Sequence, residues 1–278
     1  MAGSGKSQYP IGVFDSGVGG LTVLQELRRL LPDEPMLYFG DTARVPYGNR
    51  SAGEIIEFVY EILRWMQNQE AKMVIMACNT SSALALDIVR QDFDMPILGL
   101  ILPGARAAVR KGRRIGVIAT KATVQSAAYV QAIKESDPTA EVWQQACPEF
   151  VPLIEAGRVG DPHTLAVSRK YVTPLLEAGI DTLVFGCTHY PHLNHVLRQF
   201  VPPAVQFVNP ATYVARAAVQ ELDLLGLRRG ECQDAKTTAL TRFVVSGDPQ
   251  QFATVSGQWL GAMPMVEQVT LSPVELLS

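Results

Sequence analysis

Hydrophobic residues in this chain fall into short continuous runs separated by longer stretches with apolar positions every three or four residues. Short apolar runs are typical of buried strands, and the longer spacing is typical of amphipathic helices. The runs predict nine strands, at Ile11–Phe14, Met36–Phe39, Met73–Ala77, Ile97–Leu100, Ile115–Ala119, Val142–Gln144, Thr182–Phe185, Gln206–Val208 and Phe243–Ser246.

Helical patterns occupy the spaces between these strands, for example at Leu21–Leu31, Ala52–Asn68 and Ala83–Phe93. Ser51 and Glu54 have the Ser-x-x-Glu spacing of a capping box, which predicts that the second of these helices begins there. Strands that alternate with helices favour mostly parallel sheets covered by helices. The pattern therefore predicts an α/β fold.

A weak internal repeat indicates two similar lobes. Ile11–Gly12–Val13 recurs as Ile115–Gly116–Val117, at the start of a comparable run of strands and helices. We interpret Pro103–Gly104 as a turn that crosses into a second lobe and Asn209–Pro210 as the crossing back. The predicted first lobe is then residues 1–101 plus 211–278, and the second is residues 102–210.

Polar residues cluster directly after the predicted strands. The clusters are Asp15–Ser16–Gly17, Asp41–Thr42, Pro46–Tyr47–Gly48, Cys78–Asn79–Thr80, Thr120 with Thr123, and Cys187–Thr188–His189. Ligands of open parallel sheets bind beyond the carboxyl ends of the strands. Two facing lobes would bring these groups around one cleft, where we expect the active site.

Two of the four cysteines occupy matching places in the two lobes, Cys78 and Cys187, each between an apolar run and a polar pair. The backbone N–H groups of a following helix favour a thiolate, so we expect the pKa of such a cysteine to be lowered. Cys147 and Cys232 have no such setting, and packing is the better interpretation for them.

Three roles are open for the two cysteines. A single cysteine nucleophile with a base would leave the other without a function. Both could be packed, since cysteine is often buried. Inverting a carbon that carries one acidic hydrogen uses both, because one thiol removes the proton from one face and the other delivers it to the opposite face. Asp15 and His189 are the nearby groups that could tune their protonation.

A metal site is a weaker interpretation of the residues around Cys187. His189, His192 and His195 lie close by in sequence, but their spacing matches no established zinc motif. We therefore predict no metal, and we expect His192 and His195 to form a solvated first helical turn.

Composition narrows the possible classes. Hydrophobic residues make up 47% of the 278-residue chain, enough for a large core, and the net charge of −3 does not favour nucleic-acid or anionic-membrane binding. No apolar run approaches the roughly 20 residues of a membrane span. The first residues have no apolar segment of the signal-peptide kind, so we expect a cytoplasmic protein with reduced thiols.

Six longer stretches together resemble the bacterial glutamate racemases, members of the cofactor-independent aspartate/glutamate racemase family. They are Gly12–Leu21 (GVFDSGVGGL), Tyr38–Gly48 (YFGDTARVPYG), Ala77–Ser81 (ACNTS), Leu102–Ala107 (LPGARA), Cys147–Glu155 (CPEFVPLIE) and Gly186–Leu193 (GCTHYPHL). The resemblance covers nearly all of the chain from Ile11 onward. Each stretch is weak alone, but the combination is specific.

The resemblance implies catalysis without a cofactor by the thiols of Cys78 and Cys187, each acting on one enantiomer of glutamate. It implies that Asp15 and His189 assist them and that Glu155 is a further ionisable group at the site. The implied substrate contacts are Asp15, Ser16, Pro46, Tyr47, Gly48, Asn79, Thr80, Thr120, Thr123, Thr188 and His189. It further implies a homodimer that supplies D-glutamate for peptidoglycan.

One local departure concerns the second lobe. Where the family pattern has Gly-Thr-x-Gly-Thr, this chain has Ala119–Thr120–Lys121–Ala122–Thr123, so the threonines remain and the glycines do not. The short N-terminus does not predict activation by a cell-wall precursor. Three alternatives stay open: a racemase of aspartate or hydantoins, a two-lobed amino-acid binding protein, and a metal-dependent lyase.

Overall fold

The computed structural model describes residues 5–230 and 241–273, so Cys232 lies outside the described part of the chain. The described residues form ten strands. They are β1 (Ile11–Asp15), β2 (Met36–Gly40), β3 (Met73–Met76), β4 (Ile97–Gly99), β5 (Arg114–Ala119), β6 (Glu141–Ala146), β7 (Thr182–Gly186), β8 (Gln206–Val208), β9 (Thr241–Val245) and β10 (Val266–Gln268). Nine of them correspond to the predicted strands, and β10 was not predicted.

Helices connect most of these strands. The α-helices are α1 (Leu21–Leu30), α2 (Ala52–Asn68), α3 (Asn79–Leu84), α4 (Leu86–Val89), α5 (Ile101–Val109), α6 (Lys121–Gln125), α7 (Ala128–Ser136), α8 (Phe150–Glu155), α9 (Pro162–Glu177), α10 (Asn194–Leu197), α11 (Pro210–Leu224) and α12 (Pro249–Leu260). Short 3-10 helices lie at Lys6–Gln8, Tyr47–Asn49, Arg90–Asp92 and Tyr190–Leu193. The capping box of α2 is confirmed, because Ser51 and Glu54 bond each other's backbone N–H groups.

The strands of the described residues form two parallel sheets. The first has six strands in the order β10-β9-β2-β1-β3-β4, and the second has four in the order β6-β5-β7-β8. The inner strand β1 pairs with β2 and β3, and β5 pairs with β6 and β7 in the corresponding way. The predicted α/β fold with two lobes of parallel sheet and flanking helices is confirmed.

Each sheet is buried between two helical layers. In the first lobe, α1 and α11 cover one face of the sheet, and α2 covers the other with Ile55 and Val59. In the second lobe, α5 and α7 cover one face, and α8 and α9 cover the other. Ile101 at the start of α5 packs with the second lobe and Ala211 in α11 packs with the first. These contacts support our proposal that the lobes divide near residues 101 and 211.

Two local predictions were wrong. Pro103–Gly104 is not a turn, because both residues lie inside α5. A proline so near the helix start is tolerated, since its missing N–H has no intrahelical acceptor there. The predicted helix Ala83–Phe93 is instead divided at Ala85, and helical structure already begins at Asn79.

Candidate active site

The two matched cysteines lie at equivalent places in the two sheets. Cys78 follows β3, which lies next to β1, and Cys187 follows β7, which lies next to β5. Both thiols are free and buried, with 5% and 6% of the residue exposed. The charge of Cys187 also raises the pKa of Cys78, so the two sulfurs share one electrostatic environment.

The expected low pKa is wrong for Cys78. Burial raises the pKa of its thiol to about 12, and the negative charge of Asp15 adds to the effect. Cys78 does precede α3, but that helix has only six residues and its partial charge does not offset the loss of hydration. Cys78 is therefore a protonated thiol at neutral pH.

Cys187 lies beside a histidine and a carboxylate. Its Sγ is 3.7 Å from His189 Nδ1, and Nε2 of the same ring is 3.0 Å from Glu155 Oε1. Burial alone would lower the pKa of His189, but its bonds to Cys187 and Glu155 outweigh burial and raise the pKa to about 10. His189 is therefore an imidazolium at neutral pH, with both ring N–H groups directed at these two partners.

Asp15 is the ionisable group on the Cys78 side. It ends β1, only 1% of it is exposed, and burial raises its pKa while the charge of His189 opposes the shift. Its Oδ2 also accepts a hydrogen bond from the Gly17 N–H at 3.0 Å. Asp15 thus caps the following turn and at the same time influences Cys78 and His189.

Three threonine hydroxyls form a cluster that joins the lobes. Thr80 of α3 lies 3.0 Å from Thr120 and 3.3 Å from Thr123, and the last two hydroxyls are 3.0 Å apart. Thr120 caps α6 by accepting from the Thr123 N–H. The two threonines are therefore held in the cleft although the neighbouring glycines of the family pattern are absent.

The loop after β2 places its aromatic residue in the core rather than in open space. Tyr47 is 2% exposed, and its hydroxyl donates to Asp41, which also accepts from Ser246 and pairs with Arg44. A hydroxyl engaged in this way is occupied within the first lobe. The neighbouring Gly48 approaches Thr120 of the other lobe, since a Cβ at Gly48 would lie 3.2 Å from the Thr120 Cβ.

Other predicted residues lie at the same edge. Ser16, Asn79 and Thr188 are buried next to Asp15, Cys78 and Cys187 respectively, whereas Pro46 is exposed. Cys147 is 1% exposed and its Sγ contacts the Gln145 carbonyl oxygen at 3.5 Å, which agrees with a packing role.

Sequence reasoning missed several residues that lie between the lobes. The Thr22 hydroxyl contacts the carbonyl oxygens of Gly19 and Thr188, at 3.0 and 3.2 Å, and so spans both lobes. Tyr129 donates to Asn79 Oδ1 at 2.7 Å, again across the lobes. These residues carry no motif of their own, because only the folded chain brings them to the cleft.

The predicted solvated turn with His192 and His195 was half wrong. His195 is exposed as expected, but His192 is half-buried against Trp259 of α12, with ring centroids 4.1 Å apart. Burial, and then the charge of His189, lower the pKa of His192 to about 4. Sequence reasoning missed this contact because Trp259 lies far along the chain.

Within residues 5–230 and 241–273, no three His, Cys, Asp or Glu side chains come together as a possible metal site. None of the helices in those two ranges combines the length and the apolar character that crossing a bilayer requires.

Comparison with known proteins agrees with this arrangement. Residues 11–218 match the sequence model of the Asp/Glu/Hydantoin racemase family. The chain belongs to this family. The match includes both strand-end cysteines, Asp15, Glu155 and His189, so it covers the whole cluster described above.

Relatives of this racemase extend over almost the full length of the chain. The glutamate racemase of Rippkaea orientalis is 62% identical over 262 residues, which are 94% of this chain and 92% of that protein. The crystal structure of glutamate racemase from Thermus thermophilus with β-chloro-D-alanine has a TM-score of 0.86 at 39% identity, covering 95% of this chain and 98% of that one. The Francisella tularensis glutamate racemase in complex with D-glutamate has a TM-score of 0.87 at 34% identity, covering 96% and 98%.

Proposed function

We propose that this racemase interconverts L- and D-glutamate by proton transfer between the substrate α-carbon and two thiols, those of Cys78 and Cys187. The observation that carries the proposal is the pair of buried sulfurs at equivalent strand ends of two lobes, each with its own ionisable neighbour. Two opposed acid–base groups suit inversion of a carbon centre, because one group cannot easily reach both faces.

The groups beside the two sulfurs favour different roles for them. Cys78 is a thiol, and the His189 imidazolium lies 3.7 Å from the Cys187 sulfur, where its positive charge stabilises the negative charge that proton removal by this sulfur requires. In one direction the Cys187 thiolate takes the α-proton, a carbanion forms, and the Cys78 thiol delivers a proton to the opposite face. In the other direction Cys78 takes the proton and Cys187 delivers it, so one proton is removed and one is added in each turnover. The bonds to Cys187 and Glu155, and then the charge of Asp15, favour the charged form of His189.

We propose glutamate rather than aspartate as the substrate. The Synechocystis relative named glutamate racemase is 64% identical to this chain over 261 residues, which are 94% of the chain. The hydroxyls of Thr80, Thr120 and Thr123, the Asn79 amide and the backbone around Pro46–Gly48 are the groups we propose to bind its carboxylates, together with Ser16 and Thr188. We expect Tyr47 to contribute by shaping its loop.

The deciding experiment follows optical activity and α-hydrogen exchange together in heavy water, with L-glutamate, D-glutamate and both aspartate enantiomers. We expect the parent to racemise glutamate without added cofactor. Cys78→Ala and Cys187→Ala should each lower the racemisation rate by about 10³-fold or more, because each removes one acid–base group. Cys147→Ala removes an equally buried thiol and should keep the activity.

Two outcomes would overturn the proposal. A parent protein that binds glutamate without exchanging its α-hydrogen would be a binding protein. A single-alanine variant that racemises at the parent rate would exclude the two-thiol mechanism.

We propose that the protein acts in the cytoplasm as a homodimer whose D-glutamate enters peptidoglycan. The absence of a net positive charge agrees with a small-molecule substrate rather than a nucleic acid or a membrane surface. Light scattering coupled to size-exclusion chromatography would test the dimer, and D-glutamate dependence of a deletion strain would test the cellular role.

A further inference from the structure

Only the oxygen of the Asn79 side-chain amide has a hydrogen-bond partner within the described residues. Its Oδ1 accepts the hydrogen bond from the Tyr129 hydroxyl at 2.7 Å. Its Nδ2 is buried and has no hydrogen-bond partner within the described residues. A buried amide donor without an acceptor is costly, so such a group in a native structure calls for a partner. Asn79 directly follows Cys78, which places this donor beside one of the two sulfurs.

Tyr129 reaches Asn79 from the other lobe. It lies in α7, is completely buried, and packs with Ala105, Ala108 and Val208. Burial and the charge of Cys187 raise the pKa of Tyr129, so its hydroxyl stays protonated and can donate. The hydrogen bond to Asn79, which directly follows Cys78, places the hydroxyl at the cleft.

A glycine in α5 leaves room for this contact. A Cβ at Gly104 would lie 3.2 Å from the Tyr129 hydroxyl oxygen and 3.1 Å from the Pro210 ring. Tyr129, Gly104 and Pro210 therefore meet next to both chain crossings between the lobes. The position of the Tyr129 hydroxyl therefore depends on how the two lobes pack against each other.

We infer that Tyr129 is a positioning residue that sets the orientation of the Asn79 amide, so that Nδ2 is presented to a carboxylate oxygen of the substrate. An asparagine can present either its oxygen or its nitrogen, and the oxygen would repel a carboxylate. A hydroxyl that donates to Oδ1 selects the useful orientation. The inference rests on the proposed function, since it names the group that binds the substrate beside Cys78.

A double-mutant cycle tests the inference. Tyr129→Phe should raise the KM for glutamate about tenfold, the size expected for losing the net benefit of one hydrogen bond, and should change kcat much less. Asn79→Ala should raise KM at least as much. The double variant should have the same KM as Asn79→Ala, because Tyr129 acts on KM through the Asn79 amide, which is already absent.

Tyr171→Phe is the matched control. It removes a hydroxyl that donates to Glu149 at 2.7 Å in the second lobe, from a side chain that is also buried, so KM should stay at the parent value. If Tyr129→Phe does not fold, Gly104→Ala gives the second measurement. Its methyl group displaces the hydroxyl without removing it and should raise KM in the same direction.

The possible failures can be told apart. A parent that does not racemise glutamate overturns the proposed function. A racemising parent with an unchanged KM in Tyr129→Phe, or with effects of Tyr129→Phe and Asn79→Ala that add in the double variant, overturns the positioning role alone.

Discussion

His189 holds its positive charge because acceptors lie on both sides of one buried ring. Hydration is lost on burial, which disfavours the imidazolium, and the hydrogen bonds to Cys187 and Glu155 reverse that effect. The state lasts up to a pH of about 10 and is lost as the pH rises through this value. The chemistry on the Cys187 side should therefore weaken at alkaline pH.

Glu155→Gln tests this charge arrangement. The amide keeps a hydrogen-bonding oxygen but removes a negative charge, so the pKa of His189 should fall and the alkaline limb of kcat/KM should move to lower pH. Because 36% of the Glu155 side chain is exposed, we expect a shift of about one pH unit or less. The measurement is a pH profile of racemisation.

Glu149→Gln is the control for that profile, since Glu149 pairs with Lys170 on the surface of the same lobe. The alkaline limb of kcat/KM in Glu149→Gln should match that of the parent. An unchanged limb in Glu155→Gln would mean that His189 does not govern alkaline loss of activity.

At the scale of elements, the loop between β1 and α1 is the part of the first lobe that packs against Thr188 and His189 of the second. A Cβ at Gly19 would lie 2.4 Å from His189 Nδ1 and 2.6 Å from Thr188 Oγ1, and neither buried side chain can easily yield. A glycine is thus needed at position 19 for this loop to approach Thr188 and His189 closely. A larger residue would separate the loop from the element that carries Cys187.

Gly19→Ala should therefore damage catalysis more than folding. Displacing His189 by about 1 Å should lower kcat about 10²-fold, while overpacking should cost about 1–3 kcal/mol of unfolding free energy. Steady-state kinetics and urea unfolding measure the two effects. Gly53→Ala adds the same methyl group in α2 where nothing lies within 4 Å, and it should leave kcat unchanged. A normal kcat in Gly19→Ala would contradict the prediction, because it would show that the β1–α1 loop can move to accommodate the methyl group without displacing His189.

On the scale of the whole molecule, Trp259 connects the two hydrophobic cores. Its ring packs against both the α1–α11 side of the first lobe and the α8–α9 side of the second. Gln25 of α1 donates to its carbonyl oxygen at 2.8 Å. The same ring covers His192 and meets His189 edge-on at 5.8 Å. Through the Trp259 side chain, α12 therefore reaches the cleft.

Trp259→Ala should expose His192 and raise its pKa from about 4 towards the ordinary value near 6.5, because burial is the main cause of the shift. Histidine proton signals followed by NMR between pH 3 and 9 give the value. We expect a loss of about 2 kcal/mol in unfolding free energy, below that of a fully buried tryptophan, since the ring is half-buried. Trp65→Ala, remote in α2, should leave the His192 titration unchanged, and an equal shift there would contradict the assignment.

Local patterns in the sequence determined the elements and most of the cleft. Apolar runs, the Ser51–Glu54 capping box and the positions of Cys78 and Cys187 depend on near neighbours in the chain, and these can be read directly. The family resemblance added Glu155, which no local pattern would have selected. A parallel sheet collects strand ends at one edge, so the polar clusters could be expected to meet.

Tertiary structure alone decided which groups contact each other and which charges they carry. The Thr80 cluster, the Tyr129–Asn79 bond and the Trp259–His192 contact join residues far apart in sequence, so no local pattern encodes them. The same holds for the pKa of Cys78: its place before α3 predicts a lowered value, but removal from water and the Asp15 charge raise it. Hydration and distant charges are properties of the assembled cleft, and they set the chemistry of each sulfur.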